Sequence, residues 1–142
     1  MEWDLDGLAR VGESEDAPFA VTAGFDDRWE SARILSGAFE DGRLLAVAAL
    51  RPRRARGHGD DAIGGALVRE GEPSVLSEVL WSVEYDRERR PRRLGLELYE
   101  GPDSLPLRVA ADRSDEAGAG QTAFDLRLDG VEGVGRLALL RP

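Results

Sequence analysis

The chain of 142 residues contains no cysteine and no lysine, and it has a single histidine, His58. Without cysteine there is neither a disulfide framework nor a thiolate nucleophile, which fits a reducing compartment such as the cytoplasm. One histidine cannot build a multi-histidine metal site, so no metal centre and no cofactor is expected. These absences exclude thiol catalysis and multi-histidine metal catalysis.

Long apolar runs are also missing. The longest candidate is LLAVAAL at 44–50, which is strand length, so no membrane span is expected. The N-terminal MEWDLDGLAR is acidic and alternating, unlike a signal or transit peptide. The formal net charge of −9 opposes generic binding to nucleic acid and to anionic membranes. The length fits one cytoplasmic domain, residues 1–142, that can bury a core.

What the sequence does contain is alternation, most clearly over residues 79–98. Apolar residues alternate on both sides of the polar break DRERRP (86–91), which is typical of two half-buried strands. Folding about residues 88 and 89 brings every large apolar side chain to one face. The expected register pairs Val79 with Leu98, Trp81 with Leu96 and Val83 with Leu94.

The same alternation predicts about ten short strands. The others lie at 2–11, 19–25, 29–40, 43–50, 62–69, 105–112, 121–128 and 131–140. The Asp-Gly pairs at 41–42 and 129–130 predict two-residue hairpin turns, since both central positions favour positive φ. The expected registers pair Phe39 with Leu44, Leu98 with Leu107, Val109 with Phe124, and Leu128 with Val131.

Strands joined mostly by short turns predict an all-β fold, an antiparallel up-and-down, lipocalin-like β-barrel of about 8–10 strands. A meander of this length must close or split into two sheets, because an open sheet leaves exposed edges. Gly64–Gly65, Gly133 and Gly135 favour closure, since a sheet can coil tightly at glycine. A β-sandwich is the alternative.

Charged residues alternate on the opposite face of the same strands. The expected registers place Glu97 opposite Arg108, and Arg108 opposite Asp125. One interpretation is a solvated outer face of complementary charges. The other is an acid–base group inside the barrel, which would leave the leucines and Trp81 in water.

Arginine is concentrated in two loops, RPRRARGHGDD (51–61) and DRERRP (86–91). Alternate loops of an up-and-down barrel lie at the same end, so both clusters are expected at one mouth, opposite an end with acidic turns. Clustered guanidinium groups there could receive a carboxylate, phosphate or sulfate. Nearby acidic residues, Asp60, Asp61, Asp115 and Glu116, could instead neutralise them.

Catalytic motifs are scarce. No serine has a nucleophile-elbow context, and the glycine-rich stretches are not phosphate loops. His58, in Gly-His-Gly, is interpreted as a surface residue, with a general base as the alternative. The three tryptophans are expected in the core or lining a ligand cavity. The sequence therefore does not decide whether the chain is an enzyme.

The second half carries a resemblance to a known family. The run VEYDRERRPRRLGLELYEG, then LPLRVAADRS, then FDLRLDGVEGVGRLALLRP, within about residues 75–142, resembles the closing strands of lipocalin-like domains of the AttH, carotenoid-hydratase and tocopherol-cyclase type. The resemblance rests on hairpin spacing and the DGxxGxG ending. It implies a β-barrel with a hydrophobic cavity, in a family that includes enzymes of isoprenoid metabolism.

The leading hypothesis is the binding of a small hydrophobic molecule in the barrel, with mouth arginines meeting any anionic group. The alternatives are an isomerase, cyclase or hydratase acting on such a molecule, and a filled-core structural or interaction module. The sequence leaves the oligomeric state open. The candidate ligand-binding residues are Trp81, Tyr85, Leu96 and Phe124 in the lining, and Arg54, Arg90 and His58 at the mouth.

Overall fold

The computed structural model describes residues 29–53, 62–116 and 121–140, and every regular element in these ranges is a β-strand. The strands predicted at 2–11 and 19–25, and the residues Trp3, Arg54 and His58, lie outside the described residues. The strands are β1 (Trp29–Phe39), β2 (Leu44–Pro52), β3 (Ala62–Arg69), β4 (Glu72–Val75), β5 (Glu78–Tyr85), β6 (Pro91–Tyr99), β7 (Leu107–Glu116), β8 (Gln121–Leu128) and β9 (Val131–Leu140).

All nine strands belong to one sheet in the order β4-β3-β2-β1-β9-β8-β7-β6-β5, with antiparallel pairing throughout. The first and last strands pair with each other, as in an up-and-down barrel. The two ends of the order, β4 and β5, are consecutive in the chain. The predicted antiparallel barrel is confirmed, and the sheet is nearly closed.

Strands β4 and β5 act as one bent strand. The Leu76 N–H donates to the Gly65 carbonyl of β3 at 2.9 Å, and the Ser77 N–H donates to the Tyr99 carbonyl of β6 at 2.7 Å. Leu76 and Val79 both join the core although they are three residues apart, so the alternation slips by one at the bend. Counted this way the barrel has eight strands, the even number that antiparallel closure of β1 on β9 requires.

The barrel interior is filled by alternate side chains from every strand except β4. Gly37, Gly133 and Gly135 lie among them, because added bulk there would meet neighbours. A Cβ at Gly135 would lie 2.7 Å from Leu126 Cδ1, and one at Gly133 would lie 2.7 Å from Phe39 Cδ1. The buried core is Leu35, Phe39, Leu45, Val47, Leu67, Leu76, Val79, Leu94, Leu96, Leu98, Val109, Ala111, Phe124, Leu126, Leu128 and Leu137.

Several expected registers are confirmed. The three apolar pairs of the β5–β6 hairpin form as predicted, and Leu98 faces Leu107 across β6 and β7. At the β8–β9 turn Leu128 faces Val131. Asp129 and Gly130 have φ values of 46° and 89°, the positive pair that a two-residue turn needs.

The register predicted at Asp41–Gly42 is wrong by one residue. Ala38, not Phe39, faces Leu44, so the loop has three residues, 40–42. Gly42 has positive φ, 90°, whereas Asp41 does not, and the Asp41 carboxylate accepts a hydrogen bond from the Arg43 N–H at 3.1 Å. A three-residue loop with glycine at the left-handed position is the next most common hairpin turn. It keeps both Phe39 and Leu45 in the core.

The register predicted between β7 and β8 is also wrong. Val109 faces Leu128, and Phe124 faces Arg113. The cause is that β7 continues through the polar residues Ser114–Glu116, whereas the strand was predicted to end at residue 112. The expected Arg108–Asp125 pair is therefore absent. Asp125 faces Asp112, and the Arg108 N–H instead donates to the Asp129 carboxylate at 3.3 Å.

Candidate functional site

The two ends of the barrel differ in charge. Since neighbouring strands are antiparallel, the end of β2 and the β5–β6 turn lie at one end, which we call the arginine end. Its described arginines include Arg53, Arg87, Arg89 and Arg90. The turns at 40–42, 70–71 and 129–130 lie at the other, acidic end. The predicted grouping of the loops is thus confirmed for the described residues.

The inner face is open at the arginine end and closed at the acidic end. Alternation along β5 and β9 places Tyr85 and Leu139 on the inner face, in line with the core residues Val79 and Leu137. Even so, Tyr85 is 43% exposed and Leu139 is 47% exposed. At the acidic end Phe39, Leu98 and Leu128 are buried. Within the described residues the barrel is therefore open at the arginine end, and we call this opening the mouth.

An arginine crosses the interior at the base of this mouth. Arg33, on β1, directly faces Leu139 of β9, so it too lies on the inner face. Its guanidinium carbon lies 4.8 Å from the centre of the Trp81 ring on β5, a strand that does not pair with β1. A cation over an indole face is worth about 0.5–2 kcal/mol, depending on solvent exposure. The Arg33–Trp81 pair lies between the mouth and the filled core. We call Arg33, Trp81, Val83, Tyr85, Arg113 and Leu139 the mouth residues.

Arg113 anchors the β5–β6 turn to the inner face of β7. Its Nη1 donates to Asp86 Oδ2 at 2.7 Å and to the Pro91 carbonyl at 3.3 Å. Asp86 Oδ1 accepts the N–H groups of Arg90 at 3.0 Å and Glu88 at 2.9 Å. The backbone N–H of Arg90, followed by the Arg113 side chain, lowers the pKa of Asp86 to about 2.

We expect this turn to contribute to the acid sensitivity of the fold. Because the folded-state pKa of Asp86 is about 2 and its ordinary value is 3.8, its stabilising contribution is present above pH 4 and is lost as pH falls towards 2. Urea midpoints measured from pH 5 to pH 2 should fall less steeply for Asp86→Asn than for the parent. Asp103→Asn, at an exposed residue of the acidic end, is the control. Equal slopes for Asp86→Asn and the parent would contradict this role.

The rim arginines fall into two groups. Arg90 Nη2 donates to Glu88 Oε2 at 2.5 Å, and Arg51 Nε lies 3.6 Å from Glu30 Oε2. The carboxylates of Glu88 and Glu30 thus neutralise part of the cluster. Asp60 and Asp61, and the side chains of Asp115 and Glu116, lie outside the described residues. Arg87 and Arg89 are exposed and have no ion pair among the described residues. Of the described rim residues, these two arginines carry positive charge that no ion pair compensates.

The predicted lining residues occupy two different places. Trp81 is half-buried and Tyr85 is exposed, both at the mouth. Leu96 and Phe124 are buried within the core, where they pack against other side chains. Arg33, Arg113 and Leu139 were not among the predicted site residues. Alternation with Leu35, Ala111 and Leu137 was the signal that could have found them.

The outer face of β6–β8 carries the charged side chains Glu97, Arg108 and Asp125, which therefore do not form an acid–base group inside the barrel. Glu97 faces Arg108 as predicted, and Arg108 and Asp125 are exposed. Arg93 Nε donates to Asp112 Oδ1 at 2.9 Å, and Tyr99 Oη donates to Glu97 Oε2 at 3.0 Å, which raises the pKa of Tyr99. The interpretation as a solvated outer face is therefore confirmed for β6–β8.

Two open grooves lie on this outer wall. One, of about 620 Å³, surrounds Gly95 and Leu80, and the other, of about 660 Å³, surrounds Asp125 and Val134. Across the described ranges no helix could cross a membrane, and no three acidic or histidine side chains gather to hold a metal ion. Neither groove therefore has the donor set of a metal site.

Comparison with protein-family models, with curated proteins and with solved structures finds no match to this chain. The lipocalin-like resemblance stays a prediction.

Proposed function

We propose that the mouth at the arginine end binds a small hydrophobic molecule that carries an anionic group. The observation that carries the proposal is the exposure of apolar side chains on the inner face at this end. Inner-face residues of a filled barrel should be buried, as they are at the acidic end. An exposed concave apolar surface with a few polar groups at its edge is the usual form of a ligand site.

The arrangement suggests how such a molecule would lie. Trp81, Val83 and Leu139 would contact its apolar part, and the Arg33 guanidinium would hold the Trp81 ring in place. Arg87 and Arg89 would meet its carboxylate, phosphate or sulfate at the rim. Because Leu96 and Phe124 already fill the interior, the ligand would occupy a shallow bowl. We also propose that this chain is related to lipocalin-like domains and that it acts in the cytoplasm.

The test is native mass spectrometry with decanoate and decanol as probes. We expect decanoate to bind more tightly than decanol, since only decanoate carries an anionic group. Leu139→Glu should weaken decanoate binding by about 10-fold or more. The new carboxylate would lie against the alkyl chain of the probe and would repel the probe's own carboxylate. Val134→Glu is a matched control on β9, because Val134 is exposed on the outer face.

The double variant Arg87→Ala/Arg89→Ala should lower the affinity for decanoate towards the affinity for decanol. Its affinity for decanol should equal that of the parent. Absence of both adducts would overturn the proposal, as would equal losses in Leu139→Glu and Val134→Glu. The filled-core interaction module would then be favoured, because the interior side chains form one contiguous cluster.

A further inference from the structure

The β5–β6 turn carries an arginine in a left-handed backbone conformation. The Arg89 N–H donates to the Asp86 carbonyl at 3.0 Å, and the Asp86 N–H donates to the Arg90 carbonyl at 2.9 Å. These bonds close a loop, 87–89, whose last residue, Arg89, has a φ of 62°. A hairpin loop of this kind favours glycine at that position, because a residue with a Cβ is strained there.

The chain contains a second turn of the same kind, and this turn has glycine at the equivalent position. In the β1–β2 loop the Gly42 N–H donates to the Phe39 carbonyl and the Phe39 N–H donates to the Arg43 carbonyl, both at 2.9 Å. Gly42 has a φ of 90°, and a Cβ added to it would meet no heavy atom within 4 Å outside its two chain neighbours. The preference for glycine there comes from the backbone conformation alone, so arginine at position 89 destabilises its own turn.

The Arg89 side chain does not help to hold the turn together. It is exposed, and it has no ion pair or hydrogen bond among the described residues. Asp86 Oδ1 instead accepts the N–H groups of Glu88 at 2.9 Å and Arg90 at 3.0 Å. Arg113 Nη1 donates to Asp86 Oδ2 at 2.7 Å. These bonds can keep a strained residue in place, and residues kept in this way cluster at binding and active sites.

We infer that Arg89 determines the specificity of the mouth for an anionic group, which rests on the proposed function. Arg87, the other exposed rim arginine, does not have positive φ, so its backbone carries no comparable strain. The N–H groups of the turn already donate to Asp86, so an anion would meet side chains rather than backbone. The Arg89 guanidinium would bind a carboxylate, phosphate or sulfate through paired N–H donors. Because the turn is fixed before binding, little backbone freedom would be lost.

Urea unfolding measures the strain. Arg89→Gly should raise the urea midpoint by about 0.3–0.8 M, because glycine adopts positive φ without strain. The reverse change in the matched turn, Gly42→Arg, should lower the midpoint by a similar amount. Arg89→Ala removes the charge and keeps the strain, so its midpoint should stay within about 0.2 M of the parent. A midpoint for Arg89→Gly equal to or below that of the parent overturns the inference.

Native mass spectrometry with decanoate and decanol measures the recognition. Arg89→Gly and Arg89→Ala should each lower the affinity for decanoate by about 10-fold and leave the affinity for decanol unchanged. Arg89→Lys, which keeps the charge without the paired donors, should lose less than Arg89→Ala. Arg87→Ala and Gly42→Arg should change either affinity by less than about 2-fold.

Binding of the two probes by the parent separates this inference from the proposed function. If the parent binds neither probe, the proposed function is overturned, and the role of Arg89 with it. If the parent prefers decanoate and Arg89→Gly binds decanoate equally well, the inference is overturned and the proposed function stands. Equal losses in Arg87→Ala and Arg89→Gly also overturn the inference, since the rim as a whole would then attract the anion.

Discussion

Replacing Phe124 with alanine should lower the free energy of unfolding by about 3–5 kcal/mol. Phe124 is among the largest fully buried side chains. Its partner across β8 and β9 is Gly135, which has no side chain to move into the space left behind. The loss of stability grows with the volume of the cavity that remains, so we expect a loss near the upper end of this range. Urea unfolding followed by circular dichroism measures the change.

Leu105→Ala is the control, because Leu105 is 89% exposed in the β6–β7 connection. We expect its effect to stay within about 0.5 kcal/mol. A change below about 1 kcal/mol for Phe124→Ala would mean that the interior tolerates lost volume, contrary to close packing. In that case a ligand could reach deeper than the mouth, in keeping with the prediction that Leu96 and Phe124 line the site.

The fold class was predictable because local signals agreed. Alternation in β5 and β6 fixes which residues are buried, and their pairing follows once a turn is placed between them. At Asp129–Gly130 the turn residues specify a two-residue loop and hence the register. At Asp41–Gly42 the same dipeptide forms a three-residue loop. Asp-Gly is compatible with both, and packing of Phe39 and Leu45 selects between them.

Features that depend on long-range packing were not predictable. No strand was predicted at Glu72–Val75, and this segment becomes one because it pairs with β3. The polar end of β7 becomes strand because β8 pairs with it. In both places the hydrogen-bonding partner, rather than the residue pattern, determines the local structure.

The mouth was predictable only in part. Trp81 and Tyr85 followed from alternation, and the grouping of the arginine loops followed from strand counting. The contact of Arg33 with Trp81 requires two strands that do not pair, so the sequence contains no local sign of it. The contact of Asp86 with Arg113 could not be predicted for the same reason, since Arg113 comes from β7.

The second large effect is expected from a charge placed on the buried outer face of β2. Ala48→Asp should lower the free energy of unfolding by about 3–5 kcal/mol or abolish folding, because it buries a carboxylate without a partner. Ala48 is 0% exposed, and Ala46 and Leu50, which flank it on the same face of β2, are buried too. Urea midpoints and the yield of folded protein measure the effect.

Ala110→Asp makes the same change on the opposite wall. Ala110 is exposed and faces Arg127 across β7 and β8, so the new carboxylate gains water and a positive neighbour. We expect a change within about 0.5 kcal/mol. Similar effects at the two alanines would mean that the outer faces of β2 and β7 are equally solvated, contrary to the burial of Ala48. A large difference would show that β2 is buried on both faces, as the continuous apolar run LLAVAAL (44–50) indicates.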